Sequence, residues 1–202
     1  MSLTTYAELQ ASIADWLIRS DLTAVIPDFI SLTEAEIQRD LTHWRMYKRD
    51  TLSVSSRYTT LPTDFLEPIR FEIDGQEKPL EVTGINELQA RRHSNADTAS
   101  LPLLVALTAG EFEVWPTPGE TYTMSLVYRY DFPALSDSNT SNWLLAEAPD
   151  VYLYGALSQA APYLVDDPRL PVWQSKYGNA MNGLQMSSDR ARFGGNMKLR
   201  SK

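Results

Sequence analysis

Apolar residues recur at helical spacing near both ends of this chain and at alternating spacing in its middle. From Thr5 to about Arg19, the residues Tyr6, Leu9, Ile13, Trp16 and Leu17 fall on one helical stripe. Thr5 followed by Glu8 has the capping-box spacing, in which two orphan backbone donors are satisfied reciprocally. Ser20 and Asp21 break the pattern. A second helix is predicted from Pro27 to Leu41 or Trp44, with Ile30, Ile37, Leu41 and Trp44 as its apolar face. Pro27 suits a first turn, where its missing N–H has no helical partner to lose. Asp28, Glu34 and Glu36 lie towards the start and Arg39 towards the end, the order a helix dipole favours.

The period then changes to two. "RDTLSVSS" alternates at Leu52 and Val54, and Ile69, Phe71 and Ile73 mark a strand that ends in an Asp74-Gly75 turn. "KPLEVTG" reads as a short strand and "INELQARRH" as a short helix. Three more strands follow, joined by Ala109-Gly110 and "PTPGE". "PALSDSNTSN" is a polar linker. Helical spacing returns after Pro149, in a stretch that is apolar on almost every side. A last helix starts after the Asp166-Asp167-Pro168 cap and runs to about Met186, its stripe being Leu170, Trp173, Tyr177, Ala180 and Leu184. The closing "SSDRARFGGNMKLRSK" has no period.

The expected fold class is therefore α+β: mainly a four-helix bundle built from the two chain ends, with an inserted small antiparallel β domain and a flexible C-terminal tail. The expected boundaries are residues 1–48 and 133–187 for the bundle, 49–132 for the β-rich insert and 188–202 for the tail.

The helix after Pro149 raises the sharpest question. Val151, Leu153, Tyr154, Leu157, Ala160, Ala161 and Leu164 cover more than one stripe, and helices apolar all round are buried on several sides. One answer is a central core helix. Another is a subunit interface, for which Val151, Tyr154, Leu157, Ala160 and Trp173 are the candidates. Gly155, Ala156 and Ala160 would then permit close approach by a neighbouring copy. A cofactor pocket is a third. A bilayer span is excluded, because Val151–Val165 is shorter than about 20 residues and contains Ser158, Gln159 and Pro162.

Charge adds one asymmetry. The net charge is −8, but residues 188–202 carry Arg190, Arg192, Lys198, Arg200 and Lys202 against Asp189 alone. A basic tail thus follows an acidic body, and whole-molecule attraction to nucleic acid is not expected. With 0 Cys, no disulfide, thiolate metal site or cysteine nucleophile is possible. The N-terminal "MSLTTYAELQ" has neither the basic start nor the apolar run of a signal peptide.

Candidate chemistry is thin. His43 and His93 lack metal-ligand spacing and read as structural or surface residues. No serine sits in a G-x-S-x-G elbow. Asp166-Asp167 and Glu111/Glu113 are paired carboxylates of the kind a cell-wall glycosidase would use. The first pair reads better as a helix cap and the second as a solvated strand face. Arg91 and Arg92 are expected to face water, and Tyr122, Tyr128, Tyr130 and Phe132 to serve sheet packing. No catalytic residue, metal or cofactor is assigned.

Four stretches, "IPDFISLTEAEIQRDL", "TTLPTDFLEPIRFEIDG", "SNWLLAEAPDVYLYGALSQAAPYLVDD" and "VWQSKYGNAMNGL", together resemble the head-to-tail adaptor (connector) proteins of tailed bacteriophages, in particular the podovirus-type adaptors related to tail tubular protein A. The resemblance implies a non-enzymatic virion protein of the phage neck: a closed ring, usually a dodecamer, below the portal. It also implies a channel for passing double-stranded DNA and a platform for the next tail protein, a nozzle or tube. Carried onto this chain, the portal-binding tail would use Arg190, Arg192, Phe193, Met197 and Leu199. A tail completion protein that binds the tube instead is the neighbouring alternative.

Overall fold

The computed structural model describes residues 3–95, 97–164 and 167–193, with the side chains of Ser20 and Phe193 excepted. The chain divides into two compact units, Arg45–Asp131 and the pair of segments Met1–Trp44 and Phe132–Lys202.

The discontinuous unit is helical. Helix α1 (Tyr6–Leu17) starts at Thr5 with the full capping box and ends at Ile18, which takes the left-handed conformation at φ 56°. After a 3-10 segment, α2 (Ile26–Asp40) carries Pro27 in its first turn and buries Ile26, Phe29, Ile30, Thr33, Glu34 and Ile37. Trp44 is not on its face; it lies past the end of α2, partly exposed, in a 3-10 turn. The linker ends at Asn142, whose side chain caps a further short helix, α4 (Trp143–Glu147). Helix α5 (Pro149–Gln159) follows, and α6 (Leu170–Phe193) is the longest.

A four-helix bundle is not the arrangement found. Among the described residues five α-helices gather in this unit, and α5 touches all four others. That position answers the question its sequence raised. Val151, Tyr152, Leu153, Gly155, Ala156, Leu157 and Ala160 are all buried. Four neighbours cover most of this helix, so most of the apolar surplus is absorbed within one chain, with Tyr154, Ala161 and Leu164 left half-buried. Gly155 permits close approach, as expected, but to the chain's own helices. A Cβ there would lie 2.4 Å from Thr33 Cγ2 on α2 and 3.1 Å from Tyr177 Cε2 on α6.

Helix α6 also runs past the expected boundary at 187. Ser188 is buried, and its Oγ accepts a hydrogen bond from the Trp44 N–H at 3.0 Å. A hydroxyl held in this way anchors the helix at the point where the sequence loses its period.

The continuous unit has three layers. Strands β1 (Tyr47–Val54), β3 (Phe65–Ile73) and β7 (Tyr122–Tyr130) form one sheet in the order β1-β7-β3, antiparallel throughout. Strands β2 (Tyr58–Thr60), β4 (Glu81–Thr83), β5 (Leu104–Thr108) and β6 (Glu111–Trp115) form the second, in the order β2-β6-β5-β4. The sheets share a core of Val54, Phe71, Ile73, Val105, Phe112, Val114, Met124, Leu126 and Tyr128. Helix α3 (Ile85–Ser94) covers the outer face of the second sheet through Leu88, against Leu104 and Ala106.

Two expectations need correction here. The insert is not wholly antiparallel: β4 and β5 run parallel. Parallel neighbours require a crossover of a dozen or more residues, and α3 supplies it. Ile69 does not point inward with Phe71 and Ile73; it is exposed. The register against β7 shifts between Phe65 and Glu67 and again between Pro68 and Arg70. Each shift leaves an extra residue, Leu66 and then Ile69, and so breaks the alternation on which the sequence reading rests.

Candidate functional site

Each unit carries a network of buried and half-buried polar side chains. In the β unit Glu113 lies on the α3 side of β6 and is buried, not solvated. Gln89 Nε2 donates to both its oxygens at 2.9 Å. Arg57 Nε donates to Oε1 at 2.7 Å and Arg92 Nη2 to the same oxygen at 3.0 Å. Arg92 does not face water either. Its Nη2 also donates to the Val114 carbonyl at 2.8 Å, and its Nη1 donates to Asp97 and to Thr117 Oγ1. Arg91, one residue earlier, is exposed and pairs with Glu87 at 3.6 Å.

A buried carboxylate holding two guanidinium groups and an amide is a tie between α3 and its sheet. Glu111, two residues before Glu113 on the same strand, is exposed and takes no part in these hydrogen bonds. The glycosidase reading thus loses one of its carboxylate pairs. In the other, Asp166 lies outside the described residues, and Asp167 is held by Arg169 through Nε at 3.0 Å and Nη2 at 2.7 Å.

A second cluster lies in the same unit. Asp64 accepts from Lys48 Nζ and from the Tyr128 hydroxyl, both at 2.7 Å. Burial works to raise the Asp64 carboxyl, but the Lys48 ammonium and the Tyr128 hydroxyl outweigh it and hold it below its usual range. Burial, with the Asp64 carboxylate beside it, pushes Tyr128 up to about 12. Tyr122 and Tyr130 pack against the sheet core, as expected, whereas Phe132 belongs to the helical unit and meets Trp143 edge-on at 6.1 Å.

In the helical unit Glu34 is buried, and its Oε1 accepts from the Leu135 N–H and the Tyr152 hydroxyl, each at 2.9 Å. Asn142 Nδ2 donates back to Tyr152 at 2.7 Å, while its Oδ1 caps α4. One asparagine thereby ties the incoming linker to both α4 and α5. His43 is buried and stacked on Trp143, with ring centroids 5.1 Å apart. His93 is exposed. Among the described residues no group of three or more His, Asp or Glu could hold a metal ion. A cleft of about 640 Å³ in the β unit is lined by Leu80, Leu101, Leu103 and Trp115, with Glu77 and Glu81 balanced by Lys78 and Arg91.

Of the five residues expected at a subunit interface, Val151, Leu157, Ala160 and Trp173 are buried in their own chain and cannot be offered to another. Trp173 is covered in addition by the Arg169 guanidinium, 4.9 Å from its ring centre. Tyr154 is half-buried and meets Trp16 edge-on at 5.8 Å. Of the expected tail contacts, Arg190 and Arg192 lie exposed on the last turns of α6. Met197, Leu199 and the Phe193 side chain fall outside the described residues.

What the sequence reading passed over is the outward surface of the helical unit. Large apolar side chains are exposed there at Ile18, Leu32, Val172 and Met186. A stripe count that assigns apolar residues to the core has no means of singling them out.

The interior carboxylates of both units are thus tied to neighbouring side chains, and large apolar groups lie on the outside of the helical unit. The family model for the SU10 adaptor protein matches residues 4–200, and the chain belongs to that family of phage head-to-tail adaptors. The match speaks for the adaptor class and not for the narrower likeness to tail tubular protein A. Membership makes the chain a virion component that meets portal and tail proteins. No helix among the described residues is long and apolar enough to cross a membrane. No relative is matched among curated proteins.

Proposed function

We propose that copies of this chain form a closed ring, a dodecamer by the family likeness, docked below the portal in the phage neck. The ring would extend the DNA channel, let double-stranded DNA pass without reading its sequence, and present its far side to a nozzle or tube protein. The family match over residues 4–200 carries this reading. The acidic balance of the chain supports it, since a conduit that attracted phosphate would hold the genome back. Arg190 and Arg192, exposed at the end of α6, lead into Phe193, Met197 and Leu199 as the portal-binding segment. Exposed charge pairs of this kind are screened, so raised salt should weaken docking.

The test is sedimentation of the full chain with rings of its cognate portal. Co-sedimentation that declines with salt is the expected result. A chain that never associates with the portal at any concentration overturns the proposal.

A further inference from the structure

The ring reading leaves open which surfaces of neighbouring copies meet. Closure by rotation needs a heterologous contact, in which one patch meets a different and complementary one. The helical unit carries two such patches, on helices that both pack on α5 and so turn separate faces outward.

The first is on α6. Val172, Lys176, Asn179, Gly183, Met186 and Arg190 recur at intervals of three and four, the spacing of one helical face, and all are exposed. Val172 and Met186 are 56% and 63% exposed. From Tyr177 to Ser188 the chain has no charged residue, although 22% of the whole chain is charged. The only charges on the stripe, Lys176 and Arg190, are positive. A Cβ added at Gly183 would meet nothing within 4 Å, so the chain's own packing does not require a glycine there.

The second is on α1. Ala7, Ala11 and Asp15 are exposed along one face of the helix, and the flanking residues Thr4, before the N-cap, and Ile18, at the left-handed C-cap, are exposed at its two ends, Ile18 by 80%. Helix α1 contains Glu8 and Asp15 and no basic residue. Laid antiparallel, the two sets of residues correspond over the length of α1, with Arg190 extending beyond it. Ile18 falls opposite Val172, Asp15 opposite Lys176, Ala11 opposite Asn179, Ala7 opposite Gly183 and Thr4 opposite Met186.

We propose that α6 of one copy packs antiparallel on α1 of the next, in that register, and that this contact, repeated, builds the ring. Charge selects the pairing, since a stripe with only positive charge meets one whose only charge is Asp15. The small residues Ala7, Ala11 and Gly183 let the helix axes approach in the middle. Ile18 on Val172 buries apolar surface at one end. The inference rests on the ring reading and adds the surfaces that carry it.

The chain has no cysteine, so introduced pairs report without background. Ala11→Cys and Asn179→Cys, placed together in the full chain and assembled on the cognate portal ring, should oxidise to a ladder of disulfide-linked multimers. Ala11→Cys with Met186→Cys should not. Seven residues displace the second sulfur by about 10 Å along the helix, whereas bridged Cα atoms lie within about 7 Å. Lys176→Asp should abolish the first ladder, and adding Asp15→Lys should restore it. Equal ladders from both cysteine pairs overturn the register. Multimers trapped by an amine-reactive crosslinker, with no ladder from either pair, overturn the α1–α6 contact and leave the ring standing. Monomer alone with the amine-reactive crosslinker on the portal sinks the ring reading, and this inference with it.

Discussion

Replacing Gly155 with alanine isolates how tightly α5 is gripped. In an ordinary helix interior the change stabilises by about 1 kcal/mol, because alanine restricts the unfolded backbone and glycine does not. At Gly155 the new methyl would sit 2.4 Å from Thr33 Cγ2 and 3.3 Å from Thr33 Oγ1. Thr33 cannot rotate aside without losing the hydrogen bond it donates to the Phe29 carbonyl at 2.8 Å. Overpacking of a well-filled core costs about 1–3 kcal/mol, and a contact this short against a held side chain belongs at the upper end. The net expectation is a loss of about 1–2 kcal/mol.

Gly183→Ala is the internal control. The chemistry is identical, the site is open, and the expected change is a gain of about 1 kcal/mol. The two variants should therefore differ by about 2–3 kcal/mol. At roughly 2–4 °C per kcal/mol for a chain of this size, their melting temperatures should lie about 4–12 °C apart. Thermal unfolding of the free protein followed by far-UV circular dichroism reads the difference. A Gly155→Ala variant as stable as the parent, or a Gly183→Ala variant that falls equally far, would refute the close-packing argument.

Three further outcomes are expected. Glu113→Ala strands the nearly buried Arg92 and the partly buried Arg57, and should cost the β unit about 3–5 kcal/mol in urea unfolding; a loss under 1 kcal/mol contradicts the buried tie. Asp64 has its folded pKa below its unfolded value, so its contribution is complete above about pH 4 and disappears as pH falls through the folded pKa. Asp64→Asn should accordingly flatten the acid limb of the stability profile, and an unchanged limb argues against the Lys48–Asp64–Tyr128 cluster. Removing residues 194–202 should weaken portal binding at constant melting temperature, whereas removing 188–202 should also lower melting, because it deletes the hydroxyl that holds the Trp44 N–H; equal melting of both truncations shows the α6 anchor to be idle.

Legibility in the sequence followed the range of the forces involved. Thr5 and Glu8, three residues apart, announce a cap that forms as written. The turns at Gly75 and Gly110 were readable because both need φ near 81°. The parallel pairing of β4 and β5 was not, since it depends on partners some twenty residues apart joined through α3. The inward direction of Ile69 was misread because a bulge is a property of two strands, and period two is a property of one. Glu113 looked solvated because its cations, Arg57 and Arg92, lie far from it in sequence. The five apolar residues assigned to an interface show the same limit. Four of them, Val151, Leu157, Ala160 and Trp173, are covered, and only the tertiary arrangement shows that the chain's own helices do the covering.

The split of the helical unit between the two chain ends has a consequence for biosynthesis. Translation adds about 5–20 residues per second from the N-terminus, and domains generally fold as they emerge. Helices α1 and α2 leave the ribosome first, yet the element they close around, α5, arrives only after all of Arg45–Asp131 has been made. For those seconds the faces of α1 and α2 that meet α5 lack that cover, while the strand-rich insert can already complete itself. The nascent chain therefore passes through an interval in which its greasiest N-terminal surfaces depend on chaperones, and slow translation of residues 45–131 would lengthen it.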